Sequence, residues 1–366
     1  MFERPVWAEI NLKAFHKNVS RIKEGLDTST RLCAMVKADA YGHGIVPVSH
    51  EALRAGASCL GVALIDEGVF LRKAGFVEPI LVVGLCPPDL AAAAACYALD
   101  VSVSDIPGIE ALSKAAVAYN KTIGVHLKVD TGMGRIGVRP DDALLFARLI
   151  HESEGLKLDG VFSHFADADS GDLSYARRQL KTFLAVCSDI ESGGISIPCK
   201  HISNSAAFLH LPESRLDMVR TGILMYGYPP NRQEDAGYSP VMTLKANASF
   251  VKTVNAGDSV SYGRRWTAGG QCRIATIPLG YADGYFRSFS NKGFVGVRGQ
   301  NVPVRGTVCM DQFMIDVSQF DDFRAGEEII LFGTNGPSVD SLASVIDTIN
   351  YEIVTRIGKR VPRVYL

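Results

Sequence analysis

Leu32-Cys33-Ala34-Met35-Val36-Lys37-Ala38-Asp39-Ala40-Tyr41-Gly42-His43-Gly44 changes character at its middle. Residues 32–36 form an unbroken apolar run of strand length, and Tyr41-Gly42-His43-Gly44 reads as a loop. A buried strand opening into a polar loop is the first half of a strand–helix unit, and Lys37 stands at its mouth. Partial desolvation there disfavours the ammonium form and lowers the lysine pKa. A neutral amine is what Schiff-base chemistry needs. The plain alternative is a lysine that snorkels from a strand end to the surface.

The unit repeats. Apolar, β-rich runs lie at 32–36, 59–64, 80–84, 100–104, 123–129, 158–163, 199–203 and 218–226. The intervals carry helical spacing, as in 107–119, 141–153 and 175–191, although 206–215 is too short for a long helix. Strand–helix alternation argues a parallel sheet. Eight units within roughly 200 residues argue a closed (β/α)8 TIM-type barrel, with an open doubly wound sheet as runner-up. The polar residues of chemical interest follow strands. Lys37 and Tyr41 follow the first run; Lys128, Asp130 and Arg135 lie at and beyond the end of the fifth; His164 follows the sixth. Asn204 and Ser205 follow the seventh, and Arg220, Gly222 and Ile223 lie in or beside the eighth. In a barrel all of these meet at the C-terminal face, where active sites are built.

After about Pro240 the texture changes. Period-two alternation appears in 241–252, 272–278, 302–308 and 313–317, punctuated by turn signals at Asn255-Ala256-Gly257-Asp258 and Gly299-Gln300-Asn301. This predicts a second, mainly antiparallel β domain, with one short helix at 338–349. The breaker-rich stretch 229–237 is the natural linker, which gives domains at 1–235 and 236–366. Residues 6–12 precede the barrel, and their partner is left open: they can pair with the β domain.

Composition narrows the function classes. A hydrophobic fraction of 47% over 366 residues supports a large core, and a net charge of -1 gives no reason to expect nucleic acid or an anionic membrane as partner. Met1-Phe2-Glu3-Arg4-Pro5 does not read as a secretory leader, and the apolar run at 90–98 is too short to span a bilayer. The 8 cysteines are scattered without a Cys-x-x-Cys pair, so no zinc spacing is present and a reduced, cytoplasmic protein is expected. Gly132-Met133-Gly134-Arg135-Ile136-Gly137 fits G-x-G-x-x-G, yet Arg139-Pro140 intervenes before the next helix and the motif sits mid-series. A dinucleotide fingerprint wants its third glycine at a helix start, so this reading is set aside.

Three motifs in order, Val36-Lys37-Ala38-Asp39-Ala40-Tyr41-Gly42-His43-Gly44, Gly280-Tyr281-Ala282-Asp283-Gly284 and Cys309-Met310-Asp311-Gln312, resemble those of the alanine racemases. The resemblance runs from Trp7-Ala8-Glu9 to Arg360-Val361-Pro362-Arg363. It implies a pyridoxal 5'-phosphate enzyme with a barrel and a C-terminal β domain, which interconverts L- and D-alanine by a two-base mechanism and supplies D-alanine for peptidoglycan. By resemblance Lys37 bonds the cofactor and handles the proton of D-alanine, while Tyr262 handles that of L-alanine. Tyr41, Ser205, Gly222, Ile223 and Tyr351 match phosphate ligands, with Asn204 beside them; Asn204-Ser205 also reads as a plain helix cap. Arg220 matches the residue facing the pyridine nitrogen, which an arginine cannot serve as a proton acceptor, and His164 belongs to the same network. Arg135 and Met310 match the substrate carboxylate contacts, Lys128 a lysine carried as a carbamate, and Tyr281 an inner gate. Asp311 is a further supporting residue that could position Tyr262 or the neighbours of Cys309. The family supplies Tyr262 from a second subunit, so a homodimer with shared active sites is expected. Phe286 stands where the family often has proline, which bears on loop shape. Three alternatives remain: a decarboxylase, which would want an acidic group where this chain has Arg220; a racemase of broader range; and a non-catalytic cofactor-binding barrel, which would lack the residues after Pro240.

Overall fold

The computed structural model describes residues 4–230 and 237–366. Eight parallel strands are ordered β8-β7-β6-β5-β4-β3-β2-β9. They are β2 (Arg31–Met35), β3 (Cys59–Val62), β4 (Ile80–Leu85), β5 (Asp100–Val103), β6 (Ile123–Lys128), β7 (Leu156–Phe162), β8 (Lys200–His201) and β9 (Met218–Thr221). The two ends of the row meet: Asp217 N–H donates to Lys200 O and Arg220 N–H to Ser203 O, which closes the barrel. All six residues of β6 are buried. That is the pattern of a strand covered by helices outside and packed side chains inside.

The expected strands are all found, with one overrun. The apolar run 218–226 is not one strand: Gly222 (φ −123°, ψ −100°) breaks it, and Ile223–Tyr226 continues as a 3-10 helix. Burial alone made that stretch look uniform. The long helices fall near their expected bounds, at Ile106–Ala118 and Ser174–Ser192. The first of these is capped by Asp105, whose carboxylate accepts from Gly108 N–H at 2.7 Å. The glycine motif at 132–137 is folded around Asp130, which accepts from the amides of Gly132, Met133 and Gly134 at 2.9–3.1 Å. Amides that a dinucleotide phosphate would need are thus already occupied.

The second layer is a nine-stranded sheet, ordered β11-β12-β15-β14-β13-β16-β10-β1-β17. Its strands are β1 (Val6–Ile10), β10 (Met242–Asn247), β11 (Phe250–Val254), β12 (Cys272–Ile277), β13 (Phe294–Val297), β14 (Gln300–Arg305), β15 (Phe313–Asp316), β16 (Glu328–Phe332) and β17 (Arg363–Tyr365). Every pairing is antiparallel except β1 with β17. The open question about residues 6–12 is answered: β1 lies between β10 and β17, inside the β domain. The segment 241–252 breaks at Ala248-Ser249, where the chain leaves β16 for β12. The helix expected at 338–349 stops at Val345, and a second helix, Asn350–Thr355, follows and carries Tyr351. The expected domain boundary and most of the linker fall at 231–236, outside the described residues. Among the described residues no helix is long and apolar enough to cross a membrane.

Candidate active site

The loop expected after β2 begins earlier than Tyr41 and winds the wrong way. Ala38, Asp39, Ala40 and Tyr41 all have φ near +54°, a short left-handed turn of four non-glycine residues. Such residues cost roughly 1–2 kcal/mol each relative to right-handed backbone. Surrounding contacts hold them. Glu67 Oε1 accepts from Ala38 N–H at 2.6 Å, and Asp39 Oδ1 accepts from Ile45 N–H at 2.8 Å. At Gly42 (φ +81°) a Cβ would lie 2.4 Å from Val354 O, so only glycine fits. The outcome is a half-buried Lys37 at the barrel mouth with Tyr41 turned inward.

A cavity of roughly 910 Å³, counting its open mouth, gathers the strand-end residues. Lys37, Tyr41, Lys128, Arg135 and His164 line one part, and Asn204, Ser205, Arg220, Gly222 and Ile223 another. Tyr351 enters from the β domain, its ring centroid 6.2 Å from that of Tyr41. Burial, then the Arg135 charge, lowers the Lys37 pKa, and Glu67 opposes them. Burial, then Arg220, pulls Lys128 down to about 7; its Nζ donates to Val129 O at 3.0 Å. Burial and the same cations hold His164 well below its ordinary value. Burial raises Tyr41 and Tyr351, so both hydroxyls stay protonated and can donate. The cavity therefore takes its positive charge from Arg135 and Arg220, faces one carboxylate, Asp169, and has donors on its walls.

Two helix starts face this space. Asn204 Oδ1 accepts from Ala207 N–H at 2.9 Å, so the plain cap is real and the Asn204 side chain is committed to it. Ser205 Oγ accepts from Gly222 N–H at 2.9 Å, which leaves the Ser205 hydroxyl proton free to donate. A Cβ on Gly222 would sit 2.3 Å from Tyr41 Oη.

Arg220 shows a partnership that the sequence reading missed. Its Nη1 lies 2.7 Å from His201 Nδ1, and its Nη2 donates to Ser163 O at 2.8 Å and approaches His164 Nδ1 at 3.1 Å. His201 Nε2 is in turn 2.8 Å from His126 Nδ1. Arginine only donates, so His201 Nδ1 accepts, and the tautomer assigned from this network puts the His201 proton on Nε2, directed at His126. Burial lowers both histidines, His126 to about 3, so the relay is neutral. The available signal was a histidine inside each of two buried strand runs, at 123–129 and 199–203.

Tyr262, Tyr281, Met310 and Asp311 of the β domain do not line this cavity. Tyr262 is 73% exposed and Met310 53% exposed, with Tyr281 beside them in one surface cluster. Thr307 Oγ1 donates to Tyr262 O, Ser261 Oγ to Thr307 O, and the amides of Tyr281 and Ala282 to Cys309 O and Met310 O. Asp311 does not turn toward Tyr262: its Oδ1 accepts from Arg360 at 2.6 Å, and Arg360 also reaches the buried Asp283.

A closed parallel barrel with a lysine at the mouth of its first strand, followed by an antiparallel β domain, defines a barrel enzyme working through a cationic, amine-bearing cavity. The models of the alanine racemase N-terminal and C-terminal domains match residues 10–230 and 241–365, and the chain belongs to the alanine racemase family. It is an enzyme that interconverts L- and D-alanine. The alanine racemase of Desulfovibrio desulfuricans is 46% identical, covering 100% of this chain and 99% of that protein. That of Halothermothrix orenii is 44% identical over 99% and 97%. Among solved structures, alanine racemase from a D-cycloserine-producing Streptomyces lavendulae superposes with a TM-score of 0.95 at 38% identity, covering 100% and 98%. The Bacillus anthracis enzyme with bound L-Ala-P gives 0.94 at 36%, covering 100% and 96%.

Proposed function

We propose that the chain racemises alanine with pyridoxal 5'-phosphate bound at the barrel mouth, by two proton-transferring groups drawn from two subunits of a homodimer. The donor set fits the cofactor. An amine kept toward its neutral form shares one cavity with hydroxyls of Tyr41, Ser205 and Tyr351 suited to a phosphate. When bound, the cofactor supplies an electron sink for the carbanion at the substrate Cα.

The remaining work falls to side chains. Lys37 would hold the cofactor covalently and take or return one proton at the substrate Cα, and Tyr262 of a second copy would serve as the opposing base. Arg135 forks onto the substrate carboxylate, assisted by Met310 of the second copy, and Tyr281 narrows the entrance. Arg220, backed by His201 and beside His164, would meet the cofactor's ring nitrogen only as a donor. Because Arg220 cannot give up a proton there, it restrains the electron sink and disfavours side reactions such as transamination. Carbamylated Lys128 holds Arg135; unmodified, the two cations would repel. We read the biological role as cytoplasmic supply of D-alanine for peptidoglycan, a setting that eight free cysteines suit.

The observation that carries this reading is the amine of Lys37, lowered by burial and by Arg135 within a cavity of phosphate-suited hydroxyls. Cofactor-loaded protein given L-alanine is expected to approach an equal mixture of enantiomers, followed by chiral chromatography. Absence of D-alanine from protein with cofactor on Lys37 rejects the reading. Parallel assays on L-serine and L-valine set the side-chain range, since a small pocket discriminates by only about 1–3 kcal/mol per methylene.

A further inference from the structure

The left-handed turn at 38–41 is costly backbone, and the carbonyl of Gly42, which closes it, is held from the far end of the sequence. Arg363, the first residue of β17, donates from Nε and Nη2 to Gly42 O at 3.0 and 2.9 Å. The same guanidinium donates from Nη2 to Ile357 O at 2.5 Å and from Nη1 to Gly358 O at 2.7 Å and Val361 O at 2.6 Å. One side chain therefore ties the turn that presents Tyr41 to the segment that ends the helix Asn350–Thr355, which presents Tyr351. The two segments also touch directly, since Gly42 packs against Val354 O too closely for a Cβ.

We propose that Arg363 is a positioning residue for cofactor binding: it locks Tyr41 and Tyr351, one from each domain, into the paired placement that grips the phosphate. This rests on the cofactor reading above. A planar fork with five donors can hold several carbonyls at once and in fixed directions. A lysine carries the charge but has a single nitrogen, so it cannot bridge the same set. Without the fork, the left-handed turn keeps its cost and loses a restraint, and the segment that follows the helix loses the partner of its carbonyls at Ile357, Gly358 and Val361. Arg363 does not line the cavity, so its influence on the cofactor passes through the two tyrosines.

The test compares pyridoxal 5'-phosphate with pyridoxal, which lacks the phosphate, on the full-length wild type, Arg363→Lys and Arg363→Ala. Binding is read by visible absorbance. Amide hydrogen exchange is read on the cofactor-free proteins. The expected result is a loss of pyridoxal 5'-phosphate affinity of about tenfold or more in both variants, with pyridoxal affinity unchanged. Exchange should quicken together at 38–44 and 350–358, while β5 remains protected. Equal losses for the two ligands, or quickened exchange in only one segment, overturns the proposal. If Arg363→Ala fails to fold, Arg363→Lys carries the test alone. A wild type that binds both ligands equally rejects the cofactor reading instead. The paired exchange change then still supports the tie between segments, and its absence overturns it.

Discussion

Lys128 is 2% exposed, with its nitrogen 5.2 Å from the Phe162 ring centre and its pKa drawn down to about 7 by burial and then Arg220. In the unfolded chain it titrates near ~10.4, so between the two values the unfolded state binds more protons. An unmodified Lys128 therefore makes stability rise with pH through that window, and below about 7 its full penalty is present. The same shift makes a neutral amine available to carbon dioxide near neutrality. Protein held in 13C-bicarbonate is expected to show a carbamate carbon resonance that strengthens from pH 7 to pH 9, and Lys128→Ala should lack it. A pH-independent signal, or one retained in the variant, rejects the assignment. At Arg220 the expected consequence of Arg220→Glu is side-product formation: pyruvate from alanine, measured by a coupled dehydrogenase assay. Products unchanged from wild type would remove the restraining role given to this arginine.

At the scale of elements, the break at Gly222 matters more than any strand. The strand stops there, a 3-10 helix starts, and Tyr41 Oη occupies the place a side chain would take. Gly222→Ala is expected to displace Tyr41, weaken cofactor retention about tenfold or more on dialysis, and cost about 1–3 kcal/mol of stability by overpacking. Retention equal to wild type would show that the Tyr41 position is not needed. The eight barrel strands could be read in advance because most of their residues are buried, giving short apolar runs bounded by polar turns. Once those strand ends are known, closure alone brings Lys37, Lys128, Arg135, His164, Ser205 and Arg220 to one cavity. The rest lacked a local signal. Ala38 and Ala40 disfavour left-handed backbone and a single Asp39 is too weak a signal for it; the turn is held by Glu67, Val354 and Arg363, all distant in sequence. Strands β13, β16 and β17 are three to five residues long, too short for alternation to stand out. The 241–252 run kept its alternation across a break between two partner strands.

For the whole molecule, the exposure of Tyr262 is the fact to explain. On the proposed role, a tyrosine that lies 73% exposed and outside its own chain's cavity can transfer a proton only in another copy's cavity. Tyr262→Phe is expected to lower kcat by roughly 10²–10⁴-fold. Mixed with inactive Lys37→Ala protein and allowed to exchange subunits, it should regain about a quarter of wild-type activity, since half the dimers then hold one intact site of two. A mixture that stays inactive after proven exchange contradicts the shared site. The nine-stranded sheet adds a constraint of another kind. Strand β1 is made within the first dozen residues and is flanked by β10 and by β17, which ends at Tyr365. On the ribosome the barrel can close while β1 waits with both edges bare, and the sheet is completed only when the last strand emerges. Residues 241–366 made alone should therefore aggregate through the edge that β1 would have covered, and supplying residues 1–12 in trans or by fusion should restore solubility. Synthesis order thus leaves β1 with an unpaired edge until β17, more than 350 residues later in the sequence, has been made.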